Sequence, residues 1–177
     1  MTFTVEIPAG SPYVEGHFPD RPILPGVVQL ALAVDAVGPP GVERLVLARF
    51  RRIVTPPARL TLSTRKTTAG NVRVDVTSND RPVSSIELAP GAPRPADDWA
   101  VAVASRRPGG GPALDALLPH RPPMRFVEGI VGEAEDGLTC SAHVPEAFAL
   151  VRAGAVPAIV TLEAAAQAAA VFEARRS

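Results

Sequence analysis

The chain has 177 residues, 46% of them apolar, enough for one large core or two small ones. Its eighteen basic and eighteen acidic residues cancel, so charge favours neither nucleic acid nor an anionic membrane as a partner. The lone Cys140 excludes a disulfide framework, Met1-Thr2-Phe3-Thr4-Val5-Glu6 is no secretion signal, and no apolar run approaches the ~18 residues of a membrane span, so a cytoplasmic location is expected.

Residues 2–8 alternate in the manner of a half-buried strand. A turn rich in Pro and Gly follows, Gly16-His17-Phe18-Pro19-Asp20-Arg21-Pro22-Ile23-Leu24-Pro25-Gly26. It runs into a predicted helix from Val27 to Val37, closed by Gly38-Pro39-Pro40. Gln29 and Asp35 are the only polar residues of that helix, so most of its surface needs cover. Four strand-like stretches come next: Val42–Val54, Arg59–Thr67, Asn71–Thr77 and Val83–Leu88, with turn signals at Gly70-Asn71 and Asn79-Asp80. One helix followed by several antiparallel strands predicts an α+β unit in which a sheet wraps round the helix.

From Pro90 to Pro112 the composition shifts to Pro, Gly, Ala and charge, which reads as a linker, with Trp99–Ser105 inside it as a short-strand candidate. The predicted organisation is a first unit over 1–90, a linker over 91–112 and a second unit over 113–177. In the second, Leu114–Leu118 reads as a helical turn, Arg125–Val131 and Leu138–Val144 as strands, and Val156–Ala174 as an apolar helix. No strand pattern follows that helix, so the second unit is expected to be incomplete, either truncated or completed by another chain.

Residues 15–31, with His-Phe-Pro, then Pro, then Pro-Gly opening a helix, resemble the central segment of the hot-dog-fold 3-hydroxyacyl-[acyl-carrier-protein] dehydratases. Ala48-Arg49-Phe50-Arg51-Arg52 is similar to the strand after that helix. Leu117-Leu118-Pro119-His120-Arg121-Pro122-Pro123-Met124 looks like the family's N-terminal opening, and Glu163-Ala164-Ala165-Ala166-Gln167 like its Glu-x-x-x-Gln helix motif. The nearest flavour is that of aryl-polyene and related lipid clusters. In the family the carboxylate lies fourteen positions after the histidine, which here is Ala31; the same count back from Glu163 reaches Ala149, or Ala147 if Phe148 is matched to Phe18. The resemblance therefore implies one intact pair, His17 with Glu163, meeting in a composite site like that of double-hot-dog polyketide dehydratases.

What the resemblance implies is dehydration of 3-hydroxyacyl thioesters, carried on phosphopantetheine, with no metal or redox cofactor. A neutral imidazole with a pKa near ~6.5 suits removal of the C2 proton. A carboxyl group among alanines is expected to have its pKa raised by desolvation, so that Glu163 holds a proton for the departing hydroxyl. Gln167, one turn on, is placed to orient that carboxyl or a water, and Gly26 to offer an open N–H to the thioester oxygen. Arg49, Arg51 and Arg52 read equally as a docking rim for an acidic acyl-carrier protein and as the wet face of a strand. His120 reads as a brace at the start of a strand, His143 as an outward strand residue, Cys140 as a small core residue, and Asp35 as a distant substitute for the missing acid. Two rivals stand beside the dehydratase: an inactive hot-dog subunit that stabilises an active one, and a hot-dog thioesterase. Pairing with another hot-dog chain, as a homo- or hetero-oligomer, is expected under each.

Overall fold

The structure, a computed structural model, describes residues 1–92, 114–152 and 155–176. It divides into two compact units, the first built from residues 1–11 and 23–92, the second from residues 12–22, 114–152 and 155–176. Most of the predicted linker and all of the Trp99–Ser105 strand lie outside the described residues. Among the described residues, no helix is long and apolar enough to cross a membrane.

The first unit holds β1 (Thr2–Ile7), α1 (Gly26–Val37), β2 (Val42–Phe50), β3 (Ala58–Lys66), β4 (Val72–Ser78) and β5 (Arg81–Pro90). The strands form one antiparallel sheet in the order β1-β3-β4-β5-β2. Period-2 patterning sets its inner face: Leu60 and Leu62, Val74 and Val76, and Ile86 and Leu88 are all buried, as are Val27, Val28, Leu30 and Ala33 of α1. The helix packs against β2, β3, β4 and β5, so the sheet curls round it. On the outer face Asp75 accepts hydrogen bonds from Ser85 at 2.7 Å, Arg73 at 3.2 Å and Arg65 at 3.4 Å. Burial raises the Asp75 pKa, but those hydrogen bonds and the charge of Arg73 outweigh it and leave the carboxyl below its ordinary value. Between β4 and β5 Asn79 and Asp80 both have positive φ, +49° and +59°, the backbone a two-residue hairpin of this twist needs.

The second unit contains a 3-10 turn at Pro12–Val14, α2 (Leu114–Leu117), the antiparallel hairpin β6 (Val127–Ala134) and β7 (Gly137–Ala142), and α3 (Val160–Arg176). Leu118, Val127 and Val171 form its small core, with Ile130, Leu138, Cys140 and Ala168 packed against them. Cys140 is thus half-buried, and burial raises its thiol pKa. The last helix starts at Val160, four residues later than the pattern predicts. Residues 157–162 instead make tighter bonds, Val160 N–H to the Pro157 carbonyl and Thr161 N–H and hydroxyl to that of Ala158. On α3 only Val160, Gln167 and Val171 are buried, leaving Leu162, Ala165, Ala166, Ala169 and Ala170 exposed.

Candidate active site

His17 does not sit with the unit that surrounds it in sequence. Its loop, residues 12–22, belongs to the second unit, where the Gly16 carbonyl accepts the Arg121 N–H at 2.8 Å. The seat is close: a Cβ on Gly16 would lie 2.1 Å from the Arg121 carbonyl oxygen, and Gly16 has a left-handed φ of +74°. Phe18, also left-handed at +52°, turns its ring edge-on to His17 at 4.6 Å between centroids. From the other side Arg121 clamps the facing loop, its guanidinium donating to the carbonyls of Leu118 and His120, each at 2.8 Å.

Two buried imidazoles and one carboxylate meet there. His17 and His120 are each 7% exposed and the Glu163 side chain 13%. The His120 ring lies 5.2 Å from those of His17 and Phe18, and His120 Nε2 is 3.4 Å from Glu163 Oε1. One side-chain donor atom from each of His17, His120 and Glu163 lies within 4.8 Å of the others. Among the described residues this is also the group of side chains whose atoms converge closely enough to hold a metal ion.

Gln167 fixes the carboxylate. It is 1% exposed; its amide oxygen accepts the Phe126 N–H at 2.8 Å, and its amide nitrogen donates to the Met124 carbonyl at 2.8 Å and to Glu163 Oε1 at 3.1 Å. Both ends of the amide are thereby fixed, and α3 is tied to the start of β6. Burial alone would raise the Glu163 pKa, but the hydrogen bonds of His120 and Gln167 and the charges of His120 and His17 outweigh it. The net shift is downward, which corrects the expectation of a proton-holding acid. Its place in the first turn of α3 acts in the same direction, since a helix N-terminus favours negative charge.

Most of the other sequence-derived residues belong to the first unit. Gly26 is the first residue of α1 in the first unit, with the Phe50 ring 3.1 Å from where its Cβ would be. Arg49, Arg51 and Arg52 are exposed in the same unit; Arg51 and Arg52 line a cleft with Arg81, and among the described residues no carboxylate lines it. Ala31 is half-buried on α1 and Asp35 exposed near its end. In the second unit Ala149 is half-buried, Ala147 exposed and His143 exposed beyond β7. His120 is the residue sequence reasoning missed. The signal was its place in a Pro-rich turn like that of His17, but spacing along the chain says nothing about two loops that meet only in the fold.

Comparisons with known proteins bear on the family and the fold. Residues 1–87 match the ApeI-like family, described as ApeI dehydratase, and residues 112–177 match the ApeP-like family, described as ApeP dehydratase. The chain belongs to the hot-dog dehydratases. Among solved structures, a trans-AT polyketide synthase dehydratase domain from Brevibacillus brevis is similar over 98% of this chain and 70% of that one, at 15% identity and a TM-score of 0.67. The dehydratase domain from the terminal module of the rifamycin polyketide synthase is similar over the same shares, 98% and 70%, at 21% identity and a TM-score of 0.66. At these identities the likeness shows the hot-dog fold. The dehydratase heterocomplex ApeI:P from Xenorhabdus doucetiae matches 50% of this chain and 83% of its own, at 18% identity and a TM-score of 0.45. No curated protein matches.

Proposed function

We propose that this hot-dog dehydratase removes water from 3-hydroxyacyl thioesters with His17 as the base at C2 and Glu163 as the group facing the departing 3-hydroxyl. The observation that carries the assignment is the convergence of His17 and Glu163, distant in sequence, on one enclosed cluster. Imidazole is a competent base near neutral pH, and a carboxyl fixed by Gln167 is held in one orientation for the leaving oxygen. Elimination changes no net oxidation state, so the reading needs no redox cofactor, and it invokes no metal. Ala31 and either Ala149 or Ala147 carry no exchangeable proton, which supports a single working pair.

The acyl chain is read as riding on phosphopantetheine, attached to an acidic carrier protein or to CoA. The cleft of Arg51, Arg52 and Arg81, with no carboxylate among the described residues that line it, supports a positive landing surface for either. Pairing with another hot-dog chain is supported by the exposed alanine face of α3.

Hydration of a trans-2-enoyl thioester by the purified chain, followed as loss of enoyl absorbance, tests the assignment. Hydration without release of free thiol is expected. His17→Ala and Glu163→Gln should each lose ~10²–10⁴-fold in rate, and the double variant little more than either alone. Free thiol release would favour the thioesterase, and no turnover at all the inactive subunit.

A further inference from the structure

His17 and Glu163 between them do not close a catalytic cycle. Each dehydration breaks C2–H and C3–O. The C2–H electron pair becomes the new double bond, and the C3–O pair leaves with oxygen. His17 ends with one proton more than it began, and the Glu163 side has given one to the departing water. Before the next turnover His17 must lose that proton and the Glu163 side must regain one, either by exchange with solvent or by transfer from one to the other.

We propose that His120 is the relay that returns it, a positioning residue that acts through Glu163. This rests on the roles of His17 and Glu163 given above. The geometry is that of a bridge: His120 Nε2 stands 3.4 Å from Glu163 Oε1, and the His120 ring stands 5.2 Å from that of His17. Its other nitrogen, Nδ1, is buried and has no hydrogen-bond partner among the described residues. An imidazole takes a proton at one nitrogen and releases one at the other, so a ring with one nitrogen on the carboxylate and one uncommitted is suited to the task. The pair starts each cycle with one shared proton, His120–Glu163. The pair delivers that proton to the hydroxyl at Glu163, and His120 then accepts the one held by His17. Atoms and charge balance, and no co-reactant is needed.

The groups facing His120 are few. Among the described residues, the titratable groups that meet His120 are His17 and Glu163, the Phe18 ring covers another side, and Gln167 beside the carboxylate is neutral. The neighbouring Arg121 is committed to the carbonyls of Leu118, His120 and Asp115. The downward shift of Glu163 is consistent with a carboxylate that draws its proton from a neighbour.

The experiment uses the full chain in the assembly in which it purifies. Enoyl thioester hydration is measured for wild type, His120→Asn and His120→Ala across pH and across concentrations of imidazole and methylimidazole buffers. In His120→Asn, kcat is expected to fall about 10- to 100-fold, short of the ~10²–10⁴-fold of a group on the reacting atoms, with KM within about twofold. His120→Ala should regain rate with added imidazole, in an amount that follows buffer pKa, which a packing defect would not do. Wild-type kcat should be independent of buffer concentration. Three results would each overturn the relay: an unchanged kcat in His120→Asn, a loss that no buffer restores in a variant with wild-type melting behaviour, or a wild-type kcat that rises with buffer. The last needs no variant to fold. Full activity in His17→Ala or Glu163→Gln would instead defeat the underlying assignment.

Discussion

Glu163 shows how one side chain is set by opposing influences. Burial disfavours its charge, whereas the hydrogen bonds of His120 and Gln167 and the charges of His120 and His17 favour it and prevail. A carboxyl whose pKa is lower folded than unfolded binds fewer protons in the native state. Its contribution to stability is therefore full above the unfolded value of ~4.3 and is lost as pH falls through the folded value. Wild type should accordingly exceed Glu163→Gln in melting temperature most above about pH 5, and the gap should narrow steadily in acid. A gap that widens as pH falls would show that burial dominates instead. The sequence made the carboxylate's presence legible through its Glu-x-x-x-Gln spacing. It could not show the sign of the shift, because the opposing groups arrive from residues 17 and 120.

At the scale of elements, the loop carrying His17 depends on a glycine. Gly16 is both left-handed and pressed against the backbone of Arg121 and Pro122, whereas Gly70, also left-handed at φ +80°, has nothing within 4 Å of its would-be Cβ. Gly70→Ala should cost the conformational penalty alone, about 1–2 kcal/mol, while Gly16→Ala should cost more and also displace His17 from its cluster. Paired thermal melts and hydration rates check this; equal costs with activity intact would mean that the loop is seated loosely. The strands and α1 were legible to within a few residues because period-2 and period-3.6 patterns report burial directly. Leu60, Leu62, Val74, Val76, Ile86 and Leu88 carry that signal in full. The beginning of α3 was not, since the apolar run from Val156 continues through Pro157 without marking where the helical bonds begin. The grouping of residues 12–22 with the second unit was illegible too, because Pro and Gly spacing defines a turn and not what the turn rests on.

For the molecule as a whole, the two units are unequal. The first sets its helix against four strands of a five-stranded sheet, and the second sets α3 against one hairpin and a single helical turn. Leu162 is 47% exposed, and the alanines beside it are bare. An apolar helix face of this kind is a surface for association. The expected outcome by light scattering is a mass above the 18.5 kDa of one chain, with hydrogen exchange over residues 160–176 slowing as the assembly forms. A stable monomer with that helix already strongly protected would show that no partner is required.

The crossing of the His17 loop into the other unit has a consequence for modularity. Neither unit is a continuous stretch of peptide, so neither can be excised intact at a single boundary. A fragment beginning at residue 114 would inherit His120, Gln167 and Glu163 but no base, and a fragment ending at residue 92 would carry the base away from the groups that give it a purpose. Recombination between the halves of such chains is therefore constrained by an eleven-residue graft near the N-terminus, residues 12–22, and not by the linker that sequence composition advertises as the natural place to cut.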